Sequence, residues 1–184
     1  MDAITLLKND HQEVENLFKA YEKLGSRAYK SKQKSVAGII KALSVHAVIE
    51  EQVFYPAVRA EVAGANGEVL EAIEEHHIVK WVLNELEHLA SDAENYDAKV
   101  SVLMENVRHH VKEEERDLFP EVRKALGRKR LAEVGDDLEA AKKLAPTSPH
   151  PRSPSTPPGN LVAAPVAKAV DTVRDTVRDK ILGK

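Results

Sequence analysis

The sequence predicts an all-α protein whose main domain is an antiparallel up-down four-helix bundle built from two pseudo-repeated helical hairpins. Apolar residues recur at spacings of three, four and seven through most of residues 1–145, as expected for helices that bury one face. The first two helical segments overlay the next two after shifts of 65 and 64 positions. A stretch rich in proline and serine then ends the periodic region.

The first hairpin consists of a predicted helix over about 2–24 and a longer one over about 30–62. His11 lies on the apolar face of the first helix, which ends at the Gly25-Ser26 pair. On the second helix, polar residues replace apolar ones at positions that should face inward. Pro56 removes one backbone donor there, which predicts a local kink or a break.

The second hairpin repeats this arrangement after a turn at about 63–67. Helices are predicted over about 68–90 and 96–126, and Gly127 ends the latter. A shorter fifth helix follows over about 129–144, with apolar residues again on one side.

The chain changes character after this helix, so we divide it into a bundle (1–145), a linker (146–161) and a tail (162–184). The linker is rich in proline and serine, and we expect it to be extended and largely solvated. The tail carries a valine stripe at helical spacing and predicts an amphipathic helix that docks on the bundle or on a second chain. Its mixed charge and its lack of Trp and Phe argue against binding to a membrane surface.

Each hairpin carries the same polar pattern on its apolar stripe: one histidine on the first helix and His-x-x-x-Glu on the second. Residues four apart lie on one face of a helix, so such a pair can bind one metal, or one metal each of a close pair. In a bundle with pseudo-twofold symmetry, six of these residues meet in the core. They are His11, His46, Glu50, His76, His110 and Glu114.

We expect these six residues to be metal ligands. Burying carboxylates and imidazoles without partners costs several kcal/mol per ion, and bound cations remove that cost. The alternative is a set of buried, hydrogen-bonded His–Glu pairs. Mixed imidazole and carboxylate donors suit iron or manganese, and zinc less well. Two carboxylates, one from each half, would join two metals, so a di-iron centre is the natural result.

Composition argues against several other functions. The chain has no cysteine, which excludes disulfides, thiolate metal sites and iron–sulfur clusters. A net charge of −3 gives no sign of nucleic-acid binding, and the basic cluster at 123–130 lies near a helix end among acidic neighbours. We find no signal peptide and no apolar run near the roughly 18 residues that span a bilayer. We therefore expect a cytoplasmic protein.

The pattern resembles the hemerythrin-like (HHE) cation-binding domain over roughly residues 1–126. The family order of His, His-x-x-x-Glu, His, His-x-x-x-Glu matches the six residues above, and Asp10-His11 and the run from Glu50 to Pro56 are also similar. The resemblance implies two non-haem iron ions, bridged by an oxo or hydroxo group. It also implies reversible oxygen binding, oxygen or iron sensing, or the handling of peroxide or nitric oxide.

The third helix departs from the oxygen-carrying hemerythrins, which place a fifth histidine one turn from the residue equivalent to His76. Here those positions hold Ala72 and Lys80. One iron therefore loses a ligand or takes it from elsewhere. Tyr55 is the candidate for an additional ligand or an outer position, because Pro56 can distort the helix that otherwise turns Tyr55 away from the centre.

Other polar residues near the pattern are expected outside the ligand set. His77 and His109 each lie about 100° round the helix from a ligand, which favours an outer or exposed position. We expect the same of three acids, Glu51, Glu113 and Glu115, and a surface position for two more histidines, His88 and His150.

The altered ligand set leads to two hypotheses of different classes. The first is an enzyme, a catalase- or peroxidase-like di-iron protein that consumes hydrogen peroxide, alone or with nitric oxide, in oxidative or nitrosative stress defence. No side chain is assigned as a separate acid or base, so the chemistry is the cofactor's. The second is a protein that binds or senses dioxygen or nitric oxide reversibly without turnover. Its tail helix would serve as an output or as a surface for self-association or a protein partner.

Overall fold

The computed structural model describes residues 1–181, which form helices and no strands. The helices are α1 (Ala3–Glu22), α2 (Tyr29–Ile49), α3 (Tyr55–Glu61), α4 (Asn66–His88), α5 (Tyr96–Glu113), α6 (Phe119–Leu144) and α7 (Gly159–Ile181). Within the described range, none of them is both long and apolar enough to cross a membrane.

The bundle is made of the two predicted hairpins. α1 packs along α2, α4 packs along α5, and α2 and α4 meet across the pseudo-twofold axis. α6 lies against both α1 and α2. The prediction of an all-α helical bundle is confirmed.

Both long predicted helices contain a widened turn of π-helix, at Glu50–Phe54 and at Glu114–Leu118. In the first, the N–H of Tyr55 donates to the carbonyl of Glu50, five residues back. The proline of each repeat then lies in the first turn of the next helix, where a missing N–H is tolerated. The helix is therefore not broken at Pro56, because the widened turn accommodates the proline.

The fourth and fifth predicted helices meet at Gly127, where the backbone adopts φ 67° and ψ 175° inside α6. Glycine reaches this positive φ without the steric penalty of a Cβ. Beyond it, Leu131 and Val134 pack into the same apolar cluster as the start of α1. A Cβ at Gly135 would lie 2.0 Å from the Met1 carbonyl oxygen, so the two backbones touch and only glycine fits.

The linker is less solvated than we expected. Ser148 and Pro149 are buried, and the N–H groups of Thr147 and Ser148 donate to the Asp171 carboxylate at 2.8 and 2.9 Å. α7 begins three residues before the predicted start and contacts α6 and the first π turn. The described part of the tail thus docks on the bundle, and the last three residues of the predicted tail lie outside the described range.

Two apolar clusters flank a polar layer in the bundle. The first surrounds the π turns and the start of α1, and includes Leu7, Ile49, Phe54 and Phe119. The second includes Phe18, Leu43, Leu83 and Leu103. Along each of α1, α2, α4 and α5 the polar positions fall between residues of the two clusters, so the candidate site is enclosed above and below by apolar packing.

Candidate metal centre

The structure brings all six predicted ligands into this polar layer. Each of them is at most 5% exposed: His11, His46, Glu50, His76, His110 and Glu114. α1, α2, α4 and α5 supply the histidines from the helical face that also carries the apolar stripe, and the first residue of each π turn supplies a glutamate.

The two histidines of each hairpin direct the same ring nitrogen towards the centre. The Nε2 atoms of His11 and His46 are 3.2 Å apart, and those of His76 and His110 are 3.1 Å apart. Two neutral imidazoles protonated on Nδ1 would point two lone pairs at each other, which is unfavourable in a dry core. A cation near both nitrogens turns both lone pairs into metal ligands.

Glu50 lies between the two hairpins. Its Oε2 is 3.1 Å from His46 Nε2 and 3.5 Å from His76 Nε2. Both of its carboxylate oxygens are buried without a hydrogen-bond partner. Because an uncompensated buried carboxylate is costly, a cation fits this position.

Glu114 occupies the pseudo-equivalent place. Its Oε2 is 3.3 Å from His11 Nε2 and 3.6 Å from His110 Nε2, and this oxygen too is buried without a hydrogen-bond partner. The donor atoms form two compact groups, one around the histidines of each hairpin, and both groups include Glu50. The arrangement therefore fits two cations that share a carboxylate.

Burial and neighbouring charges set the protonation states of these groups. Burial, followed by the charge of Glu114, raises the pKa of Glu50 well above its usual range. Burial lowers the pKa of His46 to about 4, so this imidazole is neutral and available as a ligand at neutral pH. His110 differs, since burial acts to lower its pKa but Glu114 and Glu75 raise it overall.

Each ligand histidine has a carboxylate near its outward nitrogen. The Nδ1 distances are 2.9 Å for His11 to Glu115, 3.2 Å for His76 to Glu51, 2.7 Å for His110 to Glu75 and 3.8 Å for His46 to Asp10. The first three carboxylates lie within hydrogen-bond distance and fix the tautomer with the proton on Nδ1, which leaves the Nε2 lone pair for a metal and increases its basicity. His46 Nδ1 has no hydrogen-bond partner, since Asp10 lies beyond that distance.

Sequence reasoning found only part of this outer set. It placed Glu51 and Glu115 in outer or solvated positions and assigned no role to Asp10 or Glu75. The internal repeat could have identified all four outer carboxylates. An acidic residue precedes the first histidine of each hairpin, and another follows each candidate ligand glutamate.

The first π turn brings Tyr55 into the centre. Its hydroxyl donates to Glu114 Oε1 at 2.9 Å and lies 3.4 Å from His76 Nε2. Burial, followed by the charge of Glu114, raises the pKa of Tyr55 well above 10. The repeat counterpart is Phe119, whose ring stacks on His11 at 5.8 Å between centroids.

A sequence profile for the hemerythrin HHE cation-binding domain matches residues 2–122. The chain belongs to the hemerythrin HHE family. It is 31% identical over 134 residues to an uncharacterized hemerythrin-like protein of Schizosaccharomyces pombe, a match that covers 72% of this chain and 66% of that protein.

Two further proteins are similar to this chain. The chain is 28% identical over 142 residues to a Nostoc protein named DNA nickase, across 77% of this chain and 39% of that protein. It also superposes on the crystal structure of a hemerythrin HHE cation binding domain-containing protein from Mycobacterium kansasii. That TM-score is 0.67 at 22% identity, over 78% of this chain and 86% of the other, which shows a shared fold. The chain thus matches only part of the length of the first two relatives.

In this hemerythrin-like centre, the positions one turn from His76 hold Ala72 and Lys80, each 6% exposed. The ammonium of Lys80 donates to both carboxylate oxygens of Glu51, at 2.9 and 3.0 Å. Lys80 therefore holds the outer carboxylate of His76 and lies outside both donor groups.

The remaining histidines lie outside the two central donor groups. They are His77, His88, His109 and His150. His77 and His109 are exposed. His150, which we expected on the surface, is half-buried beside Asp171 at 3.2 Å.

The hemerythrin-like centre is covered beside His76 and open beside His11, although the two positions are related by the repeat. Beside His76, Lys80 donates to the linker hydroxyl of Ser155 at 2.7 Å, and a cavity of only about 30 Å³ remains. Beside His11, a groove of about 710 Å³ between α1 and α5 reaches His11 and Glu115.

A second repeat-related pair differs in the same way. Beside His46, the Asp10 carboxylate accepts from Lys142 of α6 at 2.5 Å. Beside His110, Glu75 lines an open cavity of about 230 Å³ between α4 and the second π turn. Each half of the centre therefore has one covered and one open outer carboxylate.

Proposed function

We propose that this protein holds two non-haem iron ions, bridged by an oxo or hydroxo group, and reacts with small oxidants in the cytoplasm. The proposed oxidant is hydrogen peroxide, alone or together with nitric oxide, in a catalase- or peroxidase-like reaction of oxidative or nitrosative stress defence. The family supports a cation-binding role. Peroxide reactivity and iron identity are our proposal.

The single observation that carries the proposal is the placement of the two ligand carboxylates. Glu50 and Glu114 each approach one histidine from each hairpin, and both oxygens of Glu50 and the Oε2 of Glu114 are buried without a hydrogen-bond partner. Bridging carboxylates hold two metals close together, and helix bundles use this solution repeatedly. Imidazole and carboxylate donors without thiolate favour iron.

Tyr55 is proposed to complete the ligand set on the His76 side. The donor group there has three members, Glu50, His76 and His110. The other group has four: His11, His46, Glu50 and Glu114. The Tyr55 hydroxyl lies beside the smaller group. A phenolate suits ferric iron, and in the metal-free protein the same hydroxyl keeps its proton and donates it to Glu114.

An iron pair supplies the redox chemistry that no side chain of this chain can provide. The chain's own residues orient three of the four histidines through hydrogen bonds to outer carboxylates. Phe54 and Phe119 pack against each other next to the centre and exclude water from that side. The groove beside His11 gives a small oxidant a path to the polar layer.

Peroxide turnover by the iron-loaded protein tests the proposal. Protein loaded anaerobically with Fe²⁺ is mixed with hydrogen peroxide, and peroxide loss and oxygen release are followed. We expect turnover well above that of the same concentration of free iron, lost in His110→Ala and retained in the control His88→Ala. Turnover no greater than free iron contradicts the enzyme assignment.

Reversible binding of dioxygen or nitric oxide without turnover is the second candidate, favoured by contacts between the surroundings of the centre and the linker that leads into the tail. In the widened turn, Pro56 has no N–H to offer the Glu51 carbonyl, and Asn160 Nδ2 donates to that oxygen at 3.2 Å. Together with the bond from Lys80 to Ser155, this contact links the outer partner of His76 to the tail. Nitric oxide that binds and leaves unchanged, without peroxide turnover, would favour this candidate.

A further inference from the structure

The open cavity beside His110 is strongly acidic. Six carboxylate side chains line it: Glu68, Glu71, Glu75, Glu113, Glu114 and Asp117. The other lining residues are Ala72, His110 and Leu118, so the lining contains no lysine or arginine. Burial, followed by the charge of Glu121, raises the pKa of Glu68, which is consistent with crowded negative charge at this opening.

Two of the lining residues, Glu75 and Glu113, form a compact donor group with the neighbouring exposed residue His109. Donor atoms of Glu75, His109 and Glu113 all lie within 4.8 Å of one another. His109 Nε2 is 3.2 Å from Glu113 Oε1, and the two side chains are 64% and 41% exposed. One imidazole and two carboxylates are a suitable donor set for a divalent first-row metal.

The inner end of the cavity supplies a separate observation that points to a cation. Glu114 lines it, is 3% exposed, and has a buried Oε2 without a hydrogen-bond partner. Glu75 connects the two ends, since it belongs to the outer group and accepts from His110 Nδ1 at 2.7 Å. Carboxylates therefore line this cavity from the part-exposed Glu113 to the buried Glu114.

The repeat-related position lacks the outer donor group. Asp10, the counterpart of Glu75, is paired with Lys142, and the counterparts of His109 and Glu113 are Val45 and Ile49. The larger groove beside His11 has an excess of positive charge, since four cations and two carboxylates line it: Lys8, Arg108, Lys112 and Arg116, with Glu15 and Glu115. Positive charge there disfavours approach of a divalent cation, whereas the acidic cavity attracts it.

We propose that the acidic cavity is the route by which divalent iron reaches the buried centre, and that Glu75, His109 and Glu113 form an outer cation site at its mouth. This proposal rests on the proposed metal centre and adds how that centre is loaded. The outer site captures Fe²⁺ from solvent, and the carboxylates beyond it lead the ion to Glu114. The basic groove beside His11 is left for the oxidant.

Loading kinetics test the route. Metal-free protein is mixed anaerobically with Fe²⁺, and uptake into a chelator-resistant form is timed. For the double variant His109→Ala/Glu113→Gln we expect uptake at least about tenfold slower than wild type, with a weaker dependence on salt. The final iron content and visible spectrum should match wild type, because neither residue lies in the central donor groups.

The matched control is His77→Ala/Glu74→Gln, which removes one exposed histidine and one exposed acid from α4 outside the cavity. It should load at the wild-type rate. Loading of the cavity double variant at the wild-type rate overturns the route. Slower loading of both double variants by the same factor overturns it as well, because the effect would then come from surface charge in general.

The outer site has its own readout in protein that already holds two irons. Added Mn²⁺ should bind weakly as a third ion and broaden the NMR signals of His109, and this effect should disappear in the single variant Glu113→Gln, which keeps His109. Broadening that persists in the variant, or is absent from wild type, overturns the outer site. If wild type retains no iron at all, the proposed function itself fails, an outcome distinct from either of these.

Discussion

The two halves of the centre have the same ligands and different surroundings. His11 and His76 are repeat counterparts, and each hydrogen-bonds an outer glutamate. The glutamate of His76 is buried under Lys80 and the linker, whereas that of His11 faces an open groove. The duplication thus explains the candidate ligand set, and the later part of the chain makes the surroundings of the two donor groups unequal.

A second difference lies at the aromatic residue that follows each ligand glutamate. Tyr55 places a hydroxyl beside Glu114 and His76. Its counterpart Phe119 has no hydroxyl and stacks on His11. One half of the centre therefore has a polar group, and the other has an apolar wall, at the same position of the repeat.

The largest expected effect is loss of metal when either half is disabled. His11→Ala and His76→Ala should each reduce tightly bound iron from two ions per chain to one or none, because each removes a ligand of its own half. Metal analysis after exhaustive dialysis checks this, with His88→Ala as a control that keeps both ions. If one of the two ligand variants keeps both ions, the halves are not equivalent in ligation.

The next test makes the aromatic residues of the two halves identical. Tyr55→Phe makes the two halves alike, and we expect peroxide turnover to fall about a hundredfold, as for loss of a positioned proton donor or ligand. A phenolate-to-iron absorption band should also disappear. The matched control is Tyr96→Phe, a buried tyrosine of the second apolar cluster. Unchanged turnover and spectrum in Tyr55→Phe would show that the hydroxyl has no part in the chemistry.

Removal of each outer lysine compares the covered and open sides directly. Lys80→Met leaves Glu51 buried without its cation, which should lower the free energy of unfolding by about 3 kcal/mol. Lys8 lies 3.3 Å from Glu115 with both side chains part-exposed, so Lys8→Met should cost less than about 1 kcal/mol. Urea unfolding of the loaded proteins measures both. Equal losses would mean that the linker does not make the two sides different.

The smallest effect concerns pH in the metal-free protein. The pKa of His46 is lowered from 6.5 to about 4 in the folded protein. As the pH falls from 6.5 to about 4, the unfolded chain therefore binds a proton at this residue before the folded protein does. The stability that this group contributes is lost over the same pH range. His110 has a raised pKa, so its contribution is present below 6.5 and is lost as pH rises through the folded value.

Histidine ring NMR of the metal-free protein checks this order, with His46→Gln and His110→Gln providing the assignments. His110 should keep its proton to a higher pH than His46. Titration of the two rings together, or in the reverse order, contradicts the electrostatic difference between the halves.

The fold and the six central residues were predictable because one helical period carries both the apolar stripe and the ligands. His11 and His76 fall on that stripe, and the repeat shows that neither position arises by chance. The π turns were harder to predict from the sequence. Pro56 signals a missing N–H, but the sequence does not tell whether a helix breaks, kinks or widens there, and the widened turn decides where Tyr55 points.

Contacts between the bundle and the chain that follows it could not be predicted. In the sequence, Lys80 indicates only that the fifth histidine of the oxygen carriers is missing. The fold is needed to show that Ser155 and Glu51 contact its ammonium group. Asn160 likewise reaches the Glu51 carbonyl from more than one hundred positions away. Hydrophobic periodicity predicts which face of a helix is buried, but it contains no information on polar contacts between residues that are far apart in the sequence.

The central claim is that this chain holds one pair of metals bridged between its two hairpins. Mössbauer spectroscopy of protein loaded with ⁵⁷Fe, together with iron analysis, tests it most directly. We predict two irons per chain and a spectrum of a spin-coupled ferric pair with two unequal sites. A single uncoupled iron, or none retained, would contradict the claim.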